Sequence, residues 1–397
     1  MKILFGLKFL SLLFLLFLQN EPIAQIVDPN QIAFEKSLFY LNQQEYSEAI
    51  NGFEELYLKT KSPRVMLEWA RACYLSGDLK RAKELFQEVL GENPPMMVRE
   101  RIGFFLEEIS LSEGKIEASS GVVVDTNPRA VTNNRILNIF GQSFAYNPTF
   151  DTSPQFGIGY GLLGAKAFGD EKRFLVGFNI NGAKFEDYFF DRTSLEEYAT
   201  FRIFDNSNLK VKGSYEQFFY GGNLLYTAPG ISLLNSKNFP NGAYWTNTIK
   251  FSNLDYPDYS YLSGPLNSFI TSYGYPIFKD GTFGFELGID RANANENSYS
   301  YWNQSIGLVG NLYLTDLFLK VQAKVVAANR LFDELDPLFG IVRQDKKRGV
   351  YLALVKTDWK LYGVAPSLDL GYEINDSNID LYTYSRIIIG LNLKKVY

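Results

Sequence analysis

The sequence predicts an α + β chain in which N-terminal α-helical repeats are followed by an antiparallel transmembrane β-barrel of about 14 strands. Three observations carry this expectation. The apolar pattern changes near residue 114, from a helical repeat with a period of 33 residues to strict alternation. Aromatic residues make up 16% of the 397 positions, nearly all of them Phe (33) or Tyr (26), and there are 32 Gly; this composition suits sheet and interfacial aromatic girdles. Mean hydropathy is slightly negative, which excludes a polytopic helical membrane protein.

Residues 1–24 read as a secretory signal peptide. Lys2 and Lys8 flank the start, Phe9 to Leu18 is apolar except for Ser11, and Gln19-Asn20-Glu21 leads to Pro22-Ile23-Ala24, with cleavage expected after Ala24. As an uncleaved anchor the run is well short of the ~20 residues that a spanning helix needs. The mature chain is therefore expected to be exported, with its N-terminal domain in the periplasm.

Residues 25–113 read as the helical domain. Glu45 to Phe53 aligns with Asp78 to Phe86, pairing Tyr46 with Leu79, Ala49 with Ala82, Phe53 with Phe86 and Leu56 with Val89. A small Ala lets two helices approach, and an aromatic residue four positions later lies on the same face. Gly77-Asp78 closes one helix, Pro94-Pro95 ends another, and residues 97–111 suggest a capping helix. The pattern resembles tetratricopeptide repeats, with Ala49, Phe53, Ala82, Phe86 and Pro94 as packing residues. It departs from them at Gln44, where a glycine is usual. The domain carries 10 basic and 15 acidic residues. Such a scaffold either simply packs or holds a peptide in a groove. Cys73 falls at a packing position and reads as a small core residue.

Residues 114–397 alternate with period two, so successive side chains face opposite sides of a sheet. Phe283, Phe285, Leu287 and Ile289 interleave with Gly284, Glu286, Gly288 and Asp290, and similar strands recur. Fourteen candidates run from 115–125 to 380–396, including 258–275, 298–314, 317–328 and 346–357. Strands of ~10 residues or more fit a tilted membrane crossing. Tight connections (Gly169-Asp170, Asp205-Asn206-Ser207, Lys279-Asp280, Thr315-Asp316, Asp358-Trp359) alternate with longer ones, notably 126–155 and 329–345, as in outer-membrane barrels. An even strand count returns both barrel ends to one side. A soluble sandwich would need a covered apolar face, and nothing marks a break inside this segment.

The composition also removes whole classes of chemistry. With no histidine, neither Ser-His-Asp nor Cys-His catalysis nor a His metal site can be built, and the single Cys73 excludes iron–sulfur clusters and four-cysteine zinc sites. A formal charge of -5 argues against nucleic acid as a partner. Glu216, Glu286, Asp290, Asp369 and Glu373 fall on the lumen parity, where carboxylates are usually wall charges rather than acid–base pairs. No catalytic residue, cofactor or metal is expected.

Two short motifs and the domain order resemble the surface lipoprotein assembly modulators. The first strand ends Gly121-Val122-Val123-Val124-Asp125-Thr126-Asn127, similar to that family's Asp-x-Asn turn. Gly371 to Tyr382 resembles its last hairpin, with Ser377-Asn378 followed by an apolar residue and Tyr382. The chain departs from the family in ending Val396-Tyr397 and in having few repeats. On turn chemistry alone, Asp125, Asn127, Ser377, Asn378 and Tyr382 read first as hairpin formers and second as cargo contacts. The resemblance implies an outer-membrane factor that delivers a client, a surface lipoprotein or a secreted protein, without chemistry. It also implies contact with outer-membrane lipid and dependence on the barrel-assembly machinery. A passive porin and a polysaccharide exporter with a periplasmic tether are the rival readings. Loop 126–155, with Phe140, Phe144, Tyr146 and Phe150, is long enough to fold into a lumen.

Overall fold

Among the described residues, four helices build the first unit: α1 (Pro29–Asn42), α2 (Tyr46–Thr60), α3 (Pro63–Ser76) and α4 (Leu79–Gly91). The computed structural model describes residues 28–139, 141–147, 153–169, 173–204, 208–278, 280–359 and 364–395, and it divides into two compact units between Asn93 and Pro94. The expected signal peptide lies outside the described residues, as do Phe140, Phe150 and several of the tight turns named above.

Proline at the first turn starts α1 and α3, where its missing N–H costs nothing. The Asp28 carboxylate accepts from the Asn30 N–H, and the Asp78 carboxylate from the Arg81 N–H. Consecutive helices pack on one another, an arrangement compatible with tetratricopeptide-like repeats. Ala49, Phe53, Ala82 and Phe86 are fully buried, and burying each Phe contributes about 1.5–3 kcal/mol. Gly77, after α3, takes φ +89°, and Gln44, after α1, takes φ +64°. The left-handed turn is thus made at Gln44 by a residue with a Cβ, at a cost of about 1–2 kcal/mol. Cys73 is buried, as a core residue should be.

The second unit opens with Pro94 and helix α5 (Met96–Glu113), whose C-terminus turns at Gly114 (φ +97°) into strand β1 (Lys115–Asp125). A small hairpin, β2 (Ile136–Ile139) and β3 (Gln142–Ala145), stands in the connection that follows. Thirteen further strands complete the wall. They are β4 (Gln155–Phe168), β5 (Phe174–Phe185), β6 (Arg192–Arg202), β7 (Leu209–Tyr220), β8 (Asn223–Asn238), β9 (Tyr244–Leu254) and β10 (Gly264–Phe278). They continue with β11 (Gly281–Ala292), β12 (Tyr301–Leu314), β13 (Leu319–Leu335), β14 (Val342–Lys356), β15 (Val364–Ser377) and β16 (Tyr384–Lys395). Strand β1 and strands β4–β16 close into one antiparallel barrel of fourteen strands, each beside its sequence neighbour, with β1 meeting β16. Closure leaves no long unpaired sheet edge, which a membrane core would not tolerate.

Alternation assigns the faces. In β11, Phe283, Phe285, Leu287 and Ile289 stay exposed on the outside, while Glu286 and Asp290 take the lumen parity. Ile116, Val122, Phe156, Ile158, Leu391 and Leu393 continue the exposed apolar exterior on neighbouring strands. No helix among the described residues is long and apolar enough to cross a membrane. The exterior of the barrel is the apolar surface that suits lipid.

One expectation is corrected. Residues 329–345 are not a long loop, because β13 continues to Leu335 and β14 begins at Val342. The hairpin outgrows its apolar stretch because polar and aromatic cross-strand pairs keep it together. Arg291 binds Asp333 at 2.5 and 2.7 Å, and the Arg330 and Arg343 guanidinium groups lie over Tyr301 and Phe332. Asp336 then caps the turn by accepting from the Leu338 and Phe339 N–H groups. The strands expected from 258, 298 and 380 start later, at Gly264, Tyr301 and Tyr384, because a 3₁₀ turn precedes each.

Candidate functional site

The lumen wall is wet and charge-matched. Lys212 binds Glu196 at 2.6 Å, Lys324 binds Glu286 at 3.0 Å, and Lys394 binds Asp369 at 2.6 Å. Glu373 accepts from the Tyr351 hydroxyl at 2.6 Å and lies 3.3 Å from Lys347. Glu216 accepts from Tyr226 at 3.0 Å, and Asp290 from Asn303 at 2.9 Å. The five carboxylates read from the sequence are therefore spread over three strands, β7, β11 and β15, each beside its own donor. That is how a polar wall balances its charges, and it brings no acid–base pair together. Among the described residues no cluster of acidic, Cys or His side chains is placed to hold a metal ion.

The rim at which β1 ends carries a packed cluster. Asp125 is fully buried and receives Arg386 on both oxygens, Nε to Oδ1 at 3.0 Å and Nη2 to Oδ2 at 2.8 Å, with Arg192 Nη2 at 3.2 Å. A carboxylate with two guanidinium partners is charge-balanced in a way that either partner alone would only half supply. Asn127, also buried, donates to the Val131 and Ser385 carbonyls and so ties the loop after β1 to the start of β16. Thr132 is buried in the same loop. Phe190, from the 3₁₀ turn before β6, is fully buried against Ala183 and Phe185, with Val123 beside them. The Arg129 guanidinium lies over the Phe190 ring.

The other residues of the family-like hairpin serve the same rim. The Asn378 side chain accepts from the Gln344 N–H at 2.7 Å and donates to the Val342 carbonyl at 2.8 Å, which pins the β15–β16 turn to β14. Ser377 Oγ accepts from the Ile379 N–H. The Tyr382 hydroxyl donates to Asp336 at 2.9 Å, and Arg343 stacks on its ring at 3.4 Å. Burial, with Asp336 beside it, pushes the Tyr382 phenol up to about 12.

Helix α5 lies across the opposite rim, the one at which β1 begins. Its Ile102, Leu106 and Ile109, spaced along one helical face, are buried. Near its start Arg99 stacks over Tyr313 of β12 at 4.8 Å, and near its end Glu107 binds Lys115 of β1 at 2.5 Å. Strands β1 and β12 stand five places apart in the wall, so α5 bridges the mouth. A cavity of about 330 Å³ beneath it is lined by Arg99, Glu100, Tyr313, Lys320, Lys394 and Lys395, among others.

The wall itself is uneven at one place. Strand β1 pairs with β4 along its whole length, eleven residues from Lys115 to Asp125. Against β16 it pairs over only five, from Gly121 opposite Asn392 to Asp125 opposite Ile388. Pairing stops where the two backbones are pinched: a Cβ on Gly121 would sit 2.3 Å from the Leu391 carbonyl oxygen. Among the described residues no register pair joins the two edges towards α5; there Lys115 binds Glu107 and Glu117, and Glu117 binds Lys395. Outside, a groove of about 610 Å³ crosses the seam at this point, lined by Val122, Ile158, Leu368, Leu391, Leu393 and Trp359, among others.

Sequence reading found Asp125 and Asn127 but neither Arg192 and Arg386 nor the Glu107–Lys115–Glu117–Lys395 chain. A signal was present: Arg386 and Lys394 break the apolar run of the last strand on its lumen parity.

The family model for surface lipoprotein assembly modifiers matches residues 197–397, from within β6 to the end of the barrel. The chain belongs to the surface lipoprotein assembly modifier family. The family and the fold are both of a non-enzymatic, outer-membrane transport type. The match includes Ser377, Asn378 and Tyr382 and stops short of Asp125 and Asn127. No curated protein sequence matches the chain. Among solved structures the chain is similar to an anion-selective porin from Comamonas acidovorans, at 8% identity and TM-score 0.41, over 72% of this chain and 100% of that one. It is also similar to a loop-deletion mutant of OmpT from Vibrio cholerae, at 9% identity and TM-score 0.39, over 72% and 99% of the two chains. A third is a bacterial polysaccharide outer membrane secretin, at 10% identity and TM-score 0.37, over 70% and 98%.

Proposed function

We propose that this chain delivers a lipid-anchored client protein to the outer surface of the outer membrane, with residues 25–113 collecting the client in the periplasm and the 114–397 barrel passing or inserting it. In this reading residues 1–24 are the export signal, and the α5 rim faces the periplasm. The observation that carries it is membership of the surface lipoprotein assembly modifier family, matched over residues 197–397 of the barrel. The packing at the rims adds support. A passive porin works through an open lumen, whereas here Phe190 and the loop after β1 pack at one rim and α5 lies across the other. The family name supplies the client class, a surface lipoprotein. Outer-membrane lipid around the apolar exterior and the barrel-assembly machinery during biogenesis complete the proposed partners.

Deleting the chain should strand the client inside the cell, seen as loss of lipoprotein fragments when intact cells are shaved with protease. Unchanged shaving of every lipoprotein would sink the reading. Free sugar flux through the purified barrel in a liposome-swelling assay would favour the porin instead.

A further inference from the structure

We infer that the α5-side half of the β1/β16 seam is a lateral portal latched by α5, through which the lipid anchor of the client passes between lumen and membrane. The inference rests on the reading above for the client, but its geometry is independent of it.

Four observations meet at this one place. First, the seam is the least paired in the barrel: five register pairs, against nine to fourteen at every other one. Three positions of the deficit lie within the described residues, Ser120, Ser119 and Ala118 against Leu393, Lys394 and Lys395. Continuing the register beyond Gly121–Asn392 would set Ser119 opposite Lys394, and both residues are present and unpaired across the seam. Backbone groups left unpaired at membrane depth are costly, so this is where the wall parts with least further loss.

Second, what holds the lower seam is charge rather than backbone. The chain Glu107–Lys115–Glu117–Lys395 runs from α5 through β1 to β16, with Lys115 at the centre and its side chain only 10% exposed. One lysine therefore ties the helix across the mouth to both edges of the seam. Moving α5 removes Glu107 from Lys115 and loosens the bridge to β16. Third, Gly121 marks the upper limit of opening. Above it, the two guanidinium groups on buried Asp125 and the Thr126–Ile387 backbone bond keep the strands together. Fourth, the exterior groove crosses the portal on apolar residues of both sides, Val122 and Ile158 from one and Leu391 and Leu393 from the other. A wet lumen on one side and an apolar groove on the other suit a client with a polar body and an acyl anchor. The occupant of the groove is that acyl chain.

The test locks the portal. In full-length chain carrying Cys73→Ala, Ser119→Cys and Lys394→Cys are joined across the lower seam by a short bis-maleimide or a disulfide. The control joins Leu234→Cys to Thr248→Cys, directly opposite each other on β8 and β9. Cells are labelled with alkyne-palmitate and shaved with external protease, and the acylated fragments are counted. Locking the portal is expected to lower client shaving at least tenfold. Reductant should restore it in the disulfide form, and the β8–β9 lock should leave it unchanged. Client shaving at the unlocked level with the portal cross-linked overturns the portal. If deletion of the whole chain leaves the shaved set unchanged, the reading of function fails instead. The latch is then read without any client, from spin labels at Glu108 of α5 and Asp316 on the rim, in vesicles. Lys115→Glu is expected to at least double the width of the label–label distance distribution, and an unaltered distribution overturns the latch.

Discussion

The two ends of strand β1 are held by opposite means. At Asp125 the carboxylate is fully buried, two arginines converge on it, and the backbone is paired on both sides. At Lys115 the backbone is paired to β4, and among the described residues the link to β16 runs through Glu117 and Lys395. The first arrangement is strong because each group removed leaves a buried charge behind. The second is weaker because Glu107, Glu117 and Lys395 stay partly exposed, so water takes up part of what each loses. One strand thus closes the barrel firmly at one rim and provisionally at the other.

Breaking the firm end should have the largest effect. Asp125→Ala leaves Arg192 and Arg386 without their carboxylate and is expected to cost about 3–5 kcal/mol. The readout is the urea midpoint of the folded, heat-modifiable barrel in lipid vesicles. Gly121→Ala attacks the boundary between the two ends. Its Cβ would meet the Leu391 carbonyl oxygen at 2.3 Å and Asn392 at 2.1 Å, and overpacking of this kind costs about 1–3 kcal/mol in the same assay. Deuterium uptake should then rise along Ile388–Asn392 of β16 and spare Gln155–Ala165 of β4; uniform uptake would contradict a local seam. Lys115→Gln is the matched change at the weak end and should cost less than Asp125→Ala, about 1–3 kcal/mol, because its partners Glu107 and Glu117 stay partly exposed. A loss equal to that of Asp125→Ala would abolish the contrast.

Two smaller tests concern the helical unit. Burial pushes the Cys73 thiol up from 9.0 to about 11. Between those values the unfolded chain ionises while the folded one keeps its proton, so stability of the unit should fall as pH rises from 9 to 11. Thermal melts across that range check the sign, and Cys73→Ala should flatten the dependence. Gln44→Gly relieves the left-handed turn and should raise the stability of the unit by about 1 kcal/mol or less, given glycine's larger entropy loss.

Much of this architecture was legible in the sequence, for reasons that differ by region. Ala49, Phe53, Ala82 and Phe86 announce themselves because helical packing is local and repeats. The fourteen strands do so because period-two alternation is a property of each strand alone. Asp336 was missed as a turn cap because its partners follow an unusually long hairpin, which extends on cross-strand pairs rather than on apolar alternation. The ion-pair chain was missed because Glu117 and Lys395 lie at opposite ends of the barrel sequence.

By itself the sequence determined which residues face lipid, which face the lumen and how many strands the wall contains, since these follow from local periodicity. Only the tertiary structure decided that, among the described residues, the seam between β1 and β16 has the fewest backbone pairs of the wall, and that α5 spans the adjoining mouth. Barrel closure sets the register between first and last strands jointly through all the others, and no local pattern carries that information.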